Sequence, residues 1–201
     1  TLTGAGGINT GGDITTRGAA VIFNSAVTQT GAVSIDTTNG GGNPAGAAVT
    51  FVGAVTGDQS LTLRVGSGNN ITIGAGSNLG TLSVVSANNV TVNNSGGALN
   101  LGASTVSGNF TITANGAITD SGAVVVAGNT ELDAGANPIT LDNSGNTFSG
   151  TVKVNSNAAS LTLVDTTALN LDTISGAALA PAGAINITAN GYHPITSRDK
   201  L

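Results

Sequence analysis

The sequence predicts an all-β fold, a parallel β-helix (β-solenoid) of about ten coils with roughly 20 residues in each coil. Three observations predict it. Triplets with an apolar residue at the first and third positions recur about every ten residues, glycine or asparagine occupies the gaps, and no stretch has a helical period. Alternation with period two indicates a strand with one buried face. Because such strands repeat along the whole chain, we expect stacked coils rather than a closed globule.

The triplets define the predicted strands. The first and third residues of each triplet are expected to face the core, and the middle residue is expected to face outward. Single apolar residues between the triplets are candidates for a short third strand, namely Ile14, Val27, Leu79, Val106, Ile118, Leu132 and Ile174. The triplets occupy residues 33–35, 49–51, 61–63, 71–73, 82–84, 90–92, 99–101, 110–112, 124–126, 139–141, 152–154, 161–163, 169–171 and 185–187.

We divide the chain into a solenoid repeat domain (1–191) and a tail (192–201), which is either the start of a further coil or a foreign terminal segment. Residues 98–116 and 168–191 are alike, and the second copy carries extra residues around Pro181. Gly40, Gly41 and Gly42 are expected to form the loosest segment, a wide loop at one coil corner.

No capping helix or run of charge is visible at either end of the sequence, and the chain starts at Thr1 in the middle of the pattern. Stacked coils leave unpaired strand edges at their ends. We therefore expect a piece of a longer protein. Its partners would be neighbouring coils of that parent chain or identical subunits stacked end to end.

Composition excludes several functions. Only 7% of residues are charged, and the five Lys and Arg are scattered, so binding to nucleic acid, which requires clustered cations, is excluded. The absence of cysteine excludes disulfides and thiol chemistry, and fits an exported bacterial protein. No apolar run reaches the roughly 20 residues of a membrane span, so we expect no membrane insertion. The neutral surface favours side-by-side association.

Two segments, 11–55 and 109–154, resemble the repeats of very large bacterial exoproteins of the filamentous-haemagglutinin type. The similarity covers nearly all of the chain as far as Gly191, and the tail from Tyr192 departs from it. The resemblance implies a right-handed parallel β-helix, exported by two-partner or related secretion. It also implies an extracellular or cell-surface location, a role in an adhesive or structural fibre, and a host or surface glycan as a partner. The secretion domain and the receptor-binding insertion of a whole family member are not found in this sequence.

Three acids lie close to one coil apart and are the best candidates for a metal site: Asp120, Asp142 and Asp165. Stacked carboxylates of this kind would bind Ca²⁺, as a polysaccharide-binding or polysaccharide-cleaving β-helix would require. The alternative is that these acids decorate turns and keep the rod soluble. Glu131 and Asp133 flank the inward Leu132 and are expected to point outward. We predict no catalytic residue and no cofactor.

Threonine is frequent at the outward position of the triplets. A flat threonine array is what an ice-binding solenoid would need, whereas the simpler explanation is the preference of a β-branched residue for strands. A strict Thr-x-Thr pattern is absent from most coils. The residues are Thr50, Thr62, Thr72, Thr91, Thr111, Thr140 and Thr162.

Asparagine is abundant at the predicted corners, with Asn69, Asn88, Asn115 and Asn190 as examples. It accepts left-handed backbone angles, and its amide can hydrogen-bond to the equivalent asparagine one coil away. Some asparagines also fit the Asn-x-Ser/Thr glycosylation pattern. These are Asn70, Asn89, Asn93, Asn109 and Asn186.

The function predicted from the sequence is therefore a non-catalytic structural segment of a secreted or cell-surface bacterial fibre. The chain would serve as the shaft of an adhesin or as a subunit of an extracellular filament. The polysaccharide-binding or polysaccharide-cleaving protein is the alternative, and the ice-binding solenoid is a remote one.

Overall fold

The computed structural model describes residues 1–155, 158–171 and 185–190, and these form a parallel β-solenoid of about 8 turns with about 21 residues per turn. Short strands follow one another, and there is no helix in the described ranges. The strands pair in parallel with their equivalents one turn away. The predicted parallel β-helix is confirmed.

Two long sheets form two sides of the solenoid, and they contain 17 of the 23 strands in the described residues. The nine-stranded sheet contains β2 (Ile14–Thr15), β5 (Val33–Asp36), β8 (Ser60–Arg64), β10 (Thr81–Ser86), β12 (Leu99–Leu101), β15 (Ile118–Asp120), β18 (Ile139–Leu141), β21 (Leu161–Asp165) and β23 (Ile185–Ala189). The eight-stranded sheet contains β3 (Val21–Phe23), β6 (Val49–Phe51), β9 (Ile71–Ile73), β11 (Val90–Asn94), β14 (Phe110–Ala114), β17 (Thr130–Asp133), β20 (Thr151–Asn155) and β22 (Asn170–Leu171).

The third side is built by two separate short sheets. The first short sheet contains β1 (Ile8–Thr10), β4 (Val27–Gln29) and β7 (Val55–Thr56), and its strands come between the eight-stranded and the nine-stranded sheet in chain order. The second short sheet contains β13 (Ser104–Val106), β16 (Val124–Val126) and β19 (Thr147–Phe148), which come after the nine-stranded sheet. The third side therefore changes its place in the turn along the rod.

The turns are fewer and slightly longer than the ten coils of roughly 20 residues that the sequence predicted. Hydrogen-bonded neighbours along one corner lie 20 residues apart at Asn89 and Asn109. Thr28 and Thr56, however, are equivalent residues 28 positions apart. The extra length lies in the segment between β5 and β6, where the sequence predicted a wide loop around Gly40 to Gly42.

The core is a column of stacked, mainly aliphatic side chains. The first and third residues of every predicted triplet from 33–35 to 161–163 are buried. All four phenylalanines are buried as well, and the rings of Phe23 and Phe51 stack in register with their centroids 4.6 Å apart. Burial of this apolar surface and the continuous backbone pairing between turns stabilise the fold.

The single apolar residues between the triplets largely follow the prediction. Val27, Leu79, Val106, Ile118 and Leu132 are buried. Ile14 is half-buried against the core, and Ile174 lies outside the described residues.

The last predicted triplet differs from the others. Residues 185–187 belong to β23, yet Ile185 and Ile187 are 39% and 37% exposed. In the part of the chain that the structure describes, β23 pairs with β21 alone and lies at the edge of its sheet. The residues around Pro181 and the tail 192–201 lie outside the described residues, so the predicted domain boundary stays a prediction.

Candidate functional site

A ladder of asparagine side chains runs along the corner at which the chain enters the eight-stranded sheet. Asn70 Oδ1 accepts a hydrogen bond from the backbone N–H of Asn89 at 3.1 Å, and Asn89 Oδ1 accepts one from Asn109 at 2.8 Å. Asn109 Oδ1 accepts from the N–H of Asn129 at 3.0 Å. Finally, Asn129 Oδ1 accepts from the N–H of Thr151 at 3.0 Å. We call these four asparagines the asparagine ladder.

The predicted hydrogen bonding between asparagines of successive coils is confirmed, but at other residues than the examples chosen. Asn69 and Asn88 each precede a ladder residue by one position, and Nδ2 of Asn69 donates to the carbonyls of Val65 and Ala45 instead. Asn115 and Asn190 are exposed and lie outside the ladder. The signal in the sequence was an asparagine directly before the strand in four successive turns.

Three asparagines that fit the glycosylation pattern are ladder residues: Asn70, Asn89 and Asn109. Their Oδ1 atoms are engaged by the next turn, which gives these positions a structural role. Asn93 lies inside β11 and Asn186 inside β23. Glycosylation at any of the five stays a prediction.

Glycines lie beside the ladder and allow successive turns to pack closely at this corner. The N–H of Gly128 donates to the carbonyl of Gly108 at 3.0 Å. A Cβ atom at Gly128 would lie 2.5 Å from the carbonyl carbon and oxygen of Gly108. Gly150 stands in the same relation to Gly128 one turn further on. Only a residue without a side chain fits at Gly128.

The three acids of the predicted calcium row have different surroundings. Asp120 accepts hydrogen bonds from the backbone N–H of Asp142 at 3.1 Å, from that of Asn143 at 3.3 Å and from Nδ2 of Asn146 at 2.6 Å. The side chain of Asp142 is exposed, whereas Asp165 is buried. Within the described ranges, no group of three or more His, Cys, Asp and Glu side chains is arranged to hold a metal ion.

Asp165 belongs to a different set of polar residues, which are buried at corners and bond to the backbone of another turn. Its Oδ1 accepts from the N–H of Phe148 at 3.2 Å, as Asn146 Oδ1 accepts from the N–H of Val124 at 2.8 Å. The hydroxyl of Ser104 accepts from Val84 at 3.1 Å in the same way. Because an unpaired buried N–H is costly, these side chains stabilise the corners.

Glu131 and Asp133 lie on β17 on either side of the buried Leu132, as predicted. Glu131 forms an ion pair with Lys153 one turn later, with Oε1 and Nζ 3.0 Å apart. Both side chains are more than a third exposed, so the pair contributes little to stability. A shallow cavity of about 160 Å³ lies beside it.

Threonines form one continuous rank on the outer face of the eight-stranded sheet. Thr50, Thr72, Thr91 and Thr111 pair in register over four turns. The next outward rank on this sheet contains Asn93 opposite Thr113, and the threonine rank itself is followed by Glu131. The structure thus brings four of the predicted threonines together on this sheet, in a single file rather than in a two-dimensional array. Thr140 and Thr162 pair in register on the nine-stranded sheet.

One segment breaks the regular pattern, the loop 37–48 between β5 and β6. The buried hydroxyl of Thr37 donates to the carbonyl of Ala47 at 2.7 Å and accepts from the N–H of Ala47 at 2.9 Å. These two bonds close the neck of the loop. Within it, the carbonyl of Thr38 accepts from the N–H groups of Gly41 and Asn43. The segment predicted to be the loosest is therefore extensively hydrogen-bonded.

Asp36 anchors this loop to the end of β5. Its Oδ1 accepts from the N–H and the hydroxyl of Thr38 at 2.6 and 2.7 Å, and its Oδ2 accepts from the N–H of Gly40 at 2.8 Å. Arg64 lies in register one turn later, with Nε 3.8 Å from Oδ2. Burial raises the pKa of Asp36, but these hydrogen bonds and Arg64 outweigh it, so the pKa lies below its ordinary value.

Comparison with known proteins adds one finding to this geometry. Residues 87–155 match a family described as repeats of unknown function (DUF5649). The match covers β11 to β20, which includes most of the asparagine ladder and the second short sheet. No curated protein and no solved structure matches the chain. The described residues contain no helix long and apolar enough to cross a membrane.

Proposed function

We propose that this chain is a non-catalytic structural segment of a secreted or cell-surface bacterial fibre, acting as an adhesin shaft or as a filament subunit. The observation that carries the proposal is the asparagine ladder. It adds side-chain hydrogen bonds to the backbone pairing of successive turns. A rod held together in this way resists bending and local opening, which is what a shaft requires.

The carboxylates support the same role. Asp120 and Asp165 accept hydrogen bonds from backbone N–H groups at corners. These hydrogen bonds give both carboxylates a structural role in the turns. The match to repeats at residues 87–155 supports a role based on length and repetition.

The outer surface fits an extended assembly. The middle residues of the strands are mostly Thr, Ser and Asn, and only 7% of the chain is charged. Weak self-repulsion allows rods to associate along their sides. We propose as partners the neighbouring coils of a longer chain or identical subunits stacked end to end, with a host or surface glycan as the target of the complete fibre.

Location is the first test of this proposal. Antibodies raised against the purified chain should label intact cells of the producing bacterium, or fibres released from them, in immunogold electron microscopy. Labelling that requires permeabilised cells would contradict a surface or secreted fibre.

Shape separates the two forms of the proposal. About eight turns at the ~4.8 Å strand spacing give a rod on the order of 40 Å long. Isolated rods of that length in negative-stain micrographs of the purified chain would favour a shaft segment. Filaments whose axial repeat is near 40 Å would favour a self-stacking subunit.

A further inference from the structure

The loop 37–48 is the best candidate for a binding site in the part of the chain that the structure describes. Insertions into a solenoid turn project from one face and often carry its binding function. This insertion borders an open, shallow cavity of about 210 Å³ that it forms with the next two turns of the rod. The residues that line it and matter here are Thr38, Gly41, Pro44, Arg64, Ser67 and Ser86.

The cavity has a preformed wall. Thr37 closes the neck of the loop, and Asp36 holds Thr38 and Gly40 in place. Because the backbone is already fixed by these bonds, a ligand would not have to order it on binding.

Arg64 gives the cavity its chemical character. Its side chain is 39% exposed, and its one ion pair among the described residues is a long contact through Nε, 3.8 Å from Asp36. The guanidinium carries five N–H donors in a planar fork, so its Nη groups remain available to an incoming carboxylate.

Asp36 partly offsets the charge of Arg64, because its pKa is lowered and its carboxylate is ionised at neutral pH. Arg17 lies two turns below Arg64 and is not among the residues that line the cavity. Recognition of an anion therefore rests on the planar fork of N–H donors of Arg64 rather than on an excess of positive charge.

The other lining groups suit a small polyhydroxy ring. Ser86 Oγ accepts from the N–H of Gly66 at 3.3 Å and keeps its own proton for a ligand oxygen. Ser67 and Pro44 also line the cavity, one with a hydroxyl and one with an apolar ring. The cavity is smaller than the ~300 Å³ at which pockets for drug-sized ligands begin, so it fits one ring.

From these observations we propose that the cavity between the loop 37–48 and Arg64 binds a single acidic sugar unit, with Arg64 holding its carboxylate. This site is additional to the fibre role and does not depend on it.

The test is an NMR titration of the full ¹⁵N-labelled chain with D-galacturonate, D-galactose and acetate. Galacturonate should shift the amide resonances of Gly40, Gly41 and Gly66. Galactose lacks the carboxylate, and acetate lacks the ring. Each should bind at least tenfold more weakly. Equal binding by galactose would overturn the role of Arg64, and equal binding by acetate would overturn the assignment to a sugar.

Variants sharpen the result. Arg64→Met should weaken galacturonate binding at least tenfold, and Arg64→Lys, which keeps the charge but loses the planar fork, should weaken it severalfold. Lys153→Met removes a cation of similar exposure elsewhere on the rod and should have no effect. Binding by Arg64→Met within twofold of the wild type would overturn the proposal. If Arg64→Met alters the spectrum beyond the loop, the wild-type comparison of the three probes decides.

Discussion

The early and the later turns of the rod connect the two long sheets through different corners. In the early turns the chain takes residues 24–32 and 52–59 to pass from the eight-stranded to the nine-stranded sheet, and the first short sheet lies there. In later turns that passage shrinks to residues 95–98 and 115–117. The return passage then holds the second short sheet, within residues 102–109 and 121–129. The two long sheets continue along the rod, whereas the third side lies at one corner in the early turns and at the other corner in the later turns.

The change occurs at β10, the longest strand. Its register against β8 shifts between Val84 and Ser86, which marks a β-bulge, and Val85 is 38% exposed there. A bulge bends the strand and re-aims the residues that follow it. The N–H of Val84 is bonded to Ser104 at the start of the second short sheet. The two long sheets therefore define this fold, whereas the third side can be built at either corner of the turn.

The largest loss of stability is expected when a buried phenylalanine is replaced by alanine in the early or the later turns. Phe51→Ala removes one ring of the stacked pair in the early turns and should lower the free energy of unfolding by about 3–5 kcal/mol. Phe148→Ala should cost a similar amount in the later turns. Because each turn contacts mainly its neighbours, hydrogen exchange should accelerate first around the substituted turn. Equal acceleration along the whole rod for both variants would contradict this independence of the two regions.

A smaller effect is expected at the tight corner of the later turns. Gly128→Ala places a Cβ against the backbone of Gly108 and should destabilise the fold by about 1–3 kcal/mol. Gly68→Ala is the matched control, because a Cβ at Gly68 has nothing within 4 Å. Chemical denaturation of both variants measures the difference. Similar losses at the two positions would show that close packing does not shape this corner.

The asparagine ladder should contribute less at each step. Asn109→Ala removes the acceptor for the N–H of Asn129 and should cost about 0.5–1.5 kcal/mol. Asn115→Ala changes an exposed asparagine at the opposite corner and should stay within about 0.5 kcal/mol of the wild type. The melting curves of Asn109→Ala and Asn115→Ala would coincide if the asparagine ladder did not contribute to stability.

The smallest expected effect is the pH dependence of the stability that Asp36 contributes at the end of β5. The pKa of Asp36 is lowered in the folded chain from its ordinary 3.8, so its contribution to stability is fully present above that value. It is lost as the pH falls through the lower, folded-state pKa. The stability difference between the wild type and Asp36→Asn should therefore shrink on acidification below about pH 4. A difference that stays constant between pH 6 and pH 2 would contradict this prediction.

Period-two alternation was enough to predict the strands and the core, since in most triplets, such as 110–112, the outward residue is polar and the two inward residues are apolar. It could not place the third side, because that depends on how many residues each corner holds and on the bulge at Val85. The sequence also did not show that the loop 37–48 has a fixed, hydrogen-bonded conformation. Glycines suggested looseness there, whereas the fixed conformation comes from Asp36 and Thr37 outside the glycine run.

The site was predicted less well than the fold for a related reason. Acids spaced by one coil suggested a metal row, but Asp165 faces inward to the N–H of Phe148 and Asp142 faces solvent. Spacing fixes the turn on which a residue lies and leaves its direction open. Arg64 is an isolated cation in the sequence, and only the register, which places it opposite Asp36, brings it to the mouth of the loop.

The closed neck of the loop 37–48 has a practical consequence. The two hydrogen bonds between Thr37 and Ala47 hold the ends of the loop together, whatever sequence lies between them. Lengthening a loop between fixed ends costs little, about 0.6 kcal/mol for each doubling. Residues 39–45 are therefore a natural graft point, where a foreign peptide could be displayed from the side of the rod without disturbing the stack of turns.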